Sequence, residues 1–192
     1  MTVAIRIATQ ADGPAVAALY APYVLGPGVS FELVPPDAET MAERIAATLP
    51  RHPWLVATRG GVPVAYAYGS VYGSRPAYGW TVETAIYVAA SERGRGVGRV
   101  LYPALLDILR AQGYRSALAR LALPNPGSEA LHRAVGFVPV GVHPDAGYKH
   151  GRWHPIAYWY CALNDADPPC EVVPYGLLPQ SGCPSPPLPD RN

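Results

Sequence analysis

Charge of either sign is scarce in this chain, and what there is cancels. Fifteen basic and fourteen acidic side chains among 192 residues leave a formal net charge of +1. No bulk field draws the protein to nucleic acid or to an anionic membrane, and neither is expected as a partner. Long apolar runs are missing as well; none approaches the roughly 18 residues that a membrane span requires. Cysteine is sparse. Cys161, Cys170 and Cys183 are an odd count without a Cys-x-x-Cys spacing, which supports neither a disulfide framework nor a zinc site. His150 and His154 stand four apart, but Gly151, Trp153 and Pro155 favour loop and strand over the helix that would bring both to one metal, so no metal is expected. The opening Met1–Ile7 alternates like a strand and lacks the apolar core of a signal peptide, so the expected location is cytoplasmic.

What is present is a globular composition, 49% hydrophobic and 15% charged, of a length suited to one domain with a real core. Residues 3–8 read as a strand. Thr9 and Asp12 resemble an acidic capping box ahead of a helix running to about Tyr23, which Gly26-Pro27-Gly28 breaks. Pro35-Pro36-Asp37 leads into a second helix with Met41, Ile45 and Leu49 at helical spacing. Trp54–Ala57 and Pro63–Tyr68 read as strands around the Gly60-Gly61 hairpin turn, and 81–88 as a central strand. The helix after it carries one apolar face from Val97 to Leu109. Pro103 is a misfit there that predicts a kink or an early-turn position, and Gly113 ends the helix. Ser116–Ala122, Phe137–Val142 and Ile156–Tyr160 read as strands, and Ser128–Val135 as a short helix. This alternation predicts a mixed α/β sheet packed by helices over 1–163, followed by a proline-rich tail, 164–192, with little regular structure.

The most informative stretch is the central strand and its exit, Arg93-Gly94-Arg95-Gly96-Val97-Gly98. A glycine turn at a helix start aims several backbone N–H groups and the positive end of the helix dipole at one spot, which suits a pyrophosphate. A P-loop needs Gly-Lys-Ser/Thr, and no lysine follows here. A dinucleotide fingerprint needs Gly-x-Gly-x-x-Gly near the first strand, whereas this is Gly-x-Gly-x-Gly in mid-chain. Arg/Gln-x-x-Gly-x-Gly/Ala, the acyl-CoA loop of GCN5-related N-acetyltransferases, matches without a gap.

The surroundings extend that match. Val29-Ser30-Phe31-Glu32, Pro53–Ala57, Arg75–Glu83, Ile86-Tyr87-Val88, Leu123-Pro124-Asn125, Leu131–Phe137 and Gly147–His154 together resemble the phosphinothricin and methionine-sulfoximine N-acetyltransferase branch of this family, over roughly 3–163. The resemblance implies the family's fold, a mostly antiparallel central sheet of six or seven strands with about four helices. It also implies a homodimer, and direct transfer of acetyl from acetyl-CoA to the primary amine of a small amino acid or analogue.

By the same resemblance Glu83 is the general base and His132 a candidate acid for the departing thiolate. Ile86, Tyr87 and Val88 would pair with the pantetheine arm, and a backbone N–H near Val88 would support the thioester oxygen. Arg93, Gly94, Arg95, Gly96, Val97 and Gly98 would hold the pyrophosphate, and Asn125 the arm. Arg75 and Tyr78 would grip an anionic amino-acid head, and Phe31 and Tyr87 supply apolar walls. Several plainer roles stay open: a salt-bridged strand residue for Glu83, a turn residue for Asn125, a packed helical histidine for His132, core packing for Phe31 and Tyr87. Gly73 departs from phosphinothricin enzymes, which carry a lysine there, and this favours a less charged acceptor such as methionine sulfone or sulfoximine. Protein N-terminal acetylation and a silent acyl-CoA-binding module are the alternatives.

Overall fold

A computed structural model describes residues 3–26 and 28–178. Pro27 of the expected helix break, Cys183 and the prolines from 179 onward lie outside the described residues. Seven strands, β1 (Ala4–Ile7), β2 (Trp54–Arg59), β3 (Val62–Val71), β4 (Thr81–Val88), β5 (Ser116–Ala122), β6 (Val138–Lys149) and β7 (Arg152–Ala162), form one sheet in the order β1-β2-β3-β4-β5-β7-β6. Only β4 and β5 are parallel neighbours. Four helices, α1 (Gly13–Leu25), α2 (Ala38–Thr48), α3 (Val97–Ala111) and α4 (Pro126–Ala134), complete the fold. The expected mostly antiparallel sheet with about four helices is what the chain forms.

Strand alternation sorts the core into two layers. Leu55, Ala57, Ala65, Ala67, Val82, Ala117, Ala119 and Leu121 face α3, whose Leu101, Leu105, Leu106 and Leu109 are fully buried. Each such leucine contributes about 1.5–3 kcal/mol relative to an exposed one. Trp54, Val56 and Tyr66 face the other way, onto Val16, Tyr20 and Val24 of α1 and Met41 and Ile45 of α2.

Local signals act where expected at several places. The Thr9 N–H donates to the Asp12 carboxylate at 2.8 Å, and the same carboxylate takes both Arg6 nitrogens. Gly113 adopts φ +93 just past α3, with its N–H on the Arg110 carbonyl. Pro103 instead lies in the second turn of α3, so the early-turn placement is not the one adopted.

Two segments differ from the sequence reading in extent. β6 and β7 run on past Val142 and begin before Ile156, meeting at His150 and Gly151, which both have positive φ. That turn suits a tight hairpin. Lys149, the chain's single lysine, is buried there, donating to the Val24 and Ser30 carbonyls and tying the hairpin to the loop after α1. Residues 164–178 hold one short 3-10 turn yet strap across the sheet end. Trp80 donates to the Cys170 carbonyl, Gln112 to those of Arg51 and Val173, and the Tyr175 N–H to that of Arg51.

His52 follows Arg51, whose carbonyl the strap binds, and is 4% exposed and stacked on Tyr114 at 6.0 Å. Burial, and then the charge of Arg51, pushes its imidazole down to about 4 from 6.5. The unfolded chain therefore takes up this proton first as pH falls. The stabilisation is whole above pH 6.5 and drains away as pH drops toward 4, by about 3 kcal/mol at most. His52→Phe, which keeps the ring stack, should flatten the fall in urea-melt stability between those pH values. An unchanged slope would show that His52 does not carry it.

Candidate active site

Hydrogen-bond register decides what the central strand offers. Val88 pairs with Ala65, and the Ala89 N–H reaches the Val64 carbonyl at 2.8 Å. Residues 83, 85 and 87 therefore spend their backbone groups on β3, while 84, 86 and 88 turn theirs to the opposite edge. There β5 is a neighbour only for Thr81–Glu83, opposite Ser116–Leu118, after which the two strands part. The gap is a cleft of about 750 Å³ between the end of β4, the end of β5, the glycine turn and α4. Ile86 thus presents its backbone N–H and C=O to an open edge, while Val88 turns its own the same way and meets the Tyr23 hydroxyl there. Tyr87 does not; its backbone pairs with Tyr66, and its side chain joins the tyrosines of α1.

At the mouth of the cleft the glycine turn needs glycine for its conformation. Gly94 and Gly96 have φ +74 and +80, and a Cβ on either would touch nothing within 4 Å. Gly98 needs it for space, since a Cβ there would come within 2.8 Å of Leu131 on α4. Among the described residues no hydrogen bond is made by the N–H groups of Gly94, Gly96, Val97 and Gly98. These are the first amides of a helix and its approach, a ready seat for an anion. Arg93 and Arg99 line the cleft beside them. Glu92 is buried there too, but Arg59 takes its charge at 3.1 and 2.9 Å. Arg95 turns aside toward Glu92, 3.8 Å away.

Glu83 stands just below the point of divergence, and Arg120 of β5 holds its carboxylate with two bonds of 2.7 and 2.6 Å. Arg120 itself lines the cleft. The fork occupies one lone pair on each oxygen and leaves the others available.

His132 borders the cleft's inner wall but is only 3% exposed. Its Nδ1 is 2.7 Å from the Ser128 carbonyl, which can only accept, so Nδ1 carries the proton. Nε2 then accepts from the Tyr102 hydroxyl at 3.1 Å, and Tyr102 meets the Thr84 hydroxyl at 2.8 Å. Burial lowers the His132 pKa, with the Ser128 carbonyl opposing, so the ring is neutral at pH 7. The His132 ring reaches the cleft by two routes, the Ser128 hydroxyl 3.3 Å from Nδ1 and the Tyr102 hydroxyl that leads on to Thr84. Asn125 lines the cleft and also caps α4, its side-chain oxygen accepting from the Ser128 N–H at 3.3 Å.

The remaining candidates lie elsewhere. Phe31 lies on the β6–β7 hairpin, over Gly147 and 6.1 Å from the His154 ring. Arg75 and Tyr78 line a second hollow, of about 540 Å³, at the opposite end of β4 with Arg51, Gly73 and Tyr114. The Tyr78 ring covers Gly73, where a Cβ would come within 2.7 Å of it. Reading the sequence alone missed Tyr23, Arg99, Arg120 and Ser128. Arg99, three residues past Gly96, had a signal as the next cation in the helix's first turn. Ser128 lies one helical turn from both Asn125 and His132 on α4, whereas Tyr23 and Arg120 reach the cleft through tertiary contacts only. No group of three or more His, Cys, Asp or Glu that could hold a metal occurs among the described residues.

Known proteins share this fold and part of this sequence. The model of the acetyltransferase (GNAT) family matches residues 23–137. A phosphinothricin N-acetyltransferase of Streptomyces viridochromogenes is 38% identical over 172 residues, covering 90% of this chain and 94% of the relative. An L-methionine sulfoximine/L-methionine sulfone acetyltransferase of Salmonella typhimurium is 30% identical, covering 84% and 95%. Among solved structures, a GNAT superfamily phosphinothricin acetyltransferase from Sinorhizobium meliloti in complex with AcCoA superposes with a TM-score of 0.85 at 34% identity, covering 91% of this chain and 97% of that one. With its parted β4–β5 edge above a glycine turn, the chain belongs to the GNAT acetyltransferase family.

Proposed function

We propose that this protein transfers acetyl from acetyl-CoA to the primary amine of a small amino acid or analogue, of the phosphinothricin, methionine sulfoximine or methionine sulfone type. The observation that carries the reading is the pairing of a parted strand edge, open at Ile86 and covered at Val88 only by the Tyr23 hydroxyl, with four unspent N–H groups at the glycine turn. A CoA molecule carries groups matched to both, amides along its arm and a diphosphate at its far end. In this reading Arg93, Gly94, Gly96, Val97, Gly98 and Arg99 hold the diphosphate, the edge residues pair with the arm, and Asn125 contacts it.

The chemistry is a direct displacement in a ternary complex. The acceptor arrives as an ammonium and must lose a proton before its nitrogen lone pair can attack. Glu83 takes that proton through water bound at the lone pairs Arg120 leaves free. Nitrogen then bonds to the thioester carbon, and the carbonyl oxygen gains charge, supported by a strand-edge N–H. The C–S bond breaks with its electron pair leaving on sulfur. The second amine proton passes to the thiolate, with Ser128 and His132 as the nearest protein groups on the α4 side. The products are the acetamide, free CoA thiol and one proton released to solvent.

The catalytic unit in this reading is 1–163, with 164–192 appended. A homodimer is part of the same reading, with the individually exposed Val138, Val140 and Val142 of the edge strand β6 as available apolar surface. A thiol-release assay with acetyl-CoA against phosphinothricin, methionine sulfoximine, methionine sulfone and ordinary amino acids tests the function. Release with at least one of them is expected. A protein that binds acetyl-CoA tightly but releases no thiol with any of them would transfer the reading to a protein acceptor or a silent binding module.

A further inference from the structure

The open edge of β4 is not free along its whole length. Both backbone groups that Val88 turns to the cleft are taken by one side chain. The Tyr23 hydroxyl donates to the Val88 carbonyl and accepts from the Val88 N–H at 3.0 Å. A group that gives a proton and takes one at the two polar atoms of a single strand residue does what a neighbouring amide does in a sheet. Ile86, two residues back on the same edge, has no such partner among the described residues. Tyr23 belongs to α1, 65 positions away in sequence, so this contact is a product of the fold and not of the local chain. Its ring is fixed from two sides: edge-on to Tyr87 at 5.1 Å, and beneath the Arg93 guanidinium at 4.9 Å. Arg93 is the residue that opens the glycine turn. One aromatic ring therefore links the strand edge to the anion seat.

Building on the acyl-CoA reading above, we infer that Tyr23 gates the acyl-CoA site. Its hydroxyl stands in for a pantetheine amide at Val88 and has to leave before the arm can pair there. The diphosphate supplies the release. A guanidinium over a neutral ring is held by the ring's quadrupole alone, whereas a phosphate offers it charge-assisted hydrogen bonds, which are the stronger attraction. Arg93 is drawn from the ring to the diphosphate, and Tyr23, no longer clamped, turns away from Val88. The nucleotide end of the ligand binds first and the arm second.

Titration calorimetry of the wild type and Tyr23→Phe, with acetyl-CoA and separately with 3′-phospho-ADP, tests this. The two ligands share the diphosphate, but only acetyl-CoA has the arm. Phenylalanine keeps the ring contacts to Tyr87 and Arg93 and removes only the hydroxyl that faces the cleft. Acetyl-CoA should bind the variant about thirtyfold more tightly, the scale of the two neutral hydrogen bonds that the hydroxyl makes to Val88. 3′-phospho-ADP should bind both proteins equally. Acetyl-CoA affinity that is unchanged or weaker in the variant would overturn the gate, because the hydroxyl then either never blocks the arm or helps to hold it. Equal tightening of both ligands would overturn it too, since the effect would not lie where the arm sits. A wild type that binds neither ligand would defeat the acyl-CoA reading itself and the gate along with it.

Discussion

Glu83→Gln should lower turnover at pH 7 by about two to three orders of magnitude, the usual scale for a lost general base. Glutamine keeps the volume and an oxygen for Arg120, so the strand junction stays closed while the basic carboxylate is gone. The loss should shrink steadily as pH rises, because the amine then sheds its proton without help. The rival role is purely structural, with Glu83 serving only to anchor the Arg120 fork at 2.6–2.7 Å. Arg120→Gln separates the two. If Glu83 is the base, losing its partner costs far less turnover than losing Glu83. If the ion pair is all that matters, the two variants fall together and neither loss depends on pH. A pH-independent Glu83→Gln defect, or none, would remove Glu83 from the proton path.

How far the sequence discloses this site depends on whether its parts are neighbours in the chain. The glycine turn is contiguous, and its residue types follow directly from the conformation and charge required, so Arg93 to Gly98 could be found by inspection. Strand β4 was legible for the same reason. The fork on Glu83 was not, because Arg120 reaches it through the parallel register that sets Glu83 against Leu118. Nothing local encodes that register. Tyr23 reads as one more aromatic on a helix until the fold brings it to Val88.

The β6–β7 hairpin shows the same limit from the other side. The sequence pattern ends one strand at Val142 and opens the next at Ile156, yet the chain carries the residues between as one long ladder with an irregularity, its register shifting between His143 and Gly147. Anchoring comes from remote partners: Lys149 on the Val24 and Ser30 carbonyls, and Phe31 laid over Gly147. The strap at 164–178 follows suit. Its composition carries no periodicity, and its order derives from Trp80 and Gln112 elsewhere in the chain. Where binding energy depends on backbone shape alone, by contrast, a local substitution should expose it.

Gly96→Ala provides that exposure. A Cβ at φ +80 costs about 1–2 kcal/mol of backbone strain, although nothing stands within 4 Å of it. The turn escapes the strain by rotating away from the left-handed region, and its N–H groups then no longer converge. Each bond from such a group to a charged phosphate contributes about 1.5–3 kcal/mol, so acetyl-CoA should bind roughly tenfold to a hundredfold more weakly. Gly61→Ala is the matched control. Gly61 has φ +83 and equally open surroundings, but it lies in the β2–β3 turn, outside the cleft. Both variants should melt a few degrees below the wild type, as strain of that size predicts for a domain of this length. Only Gly96→Ala should lose affinity. Equal losses in the two would mean that binding tracks overall stability. Full affinity in Gly96→Ala would mean that the diphosphate does not rest on this turn, and the placement of the cofactor would have to be abandoned.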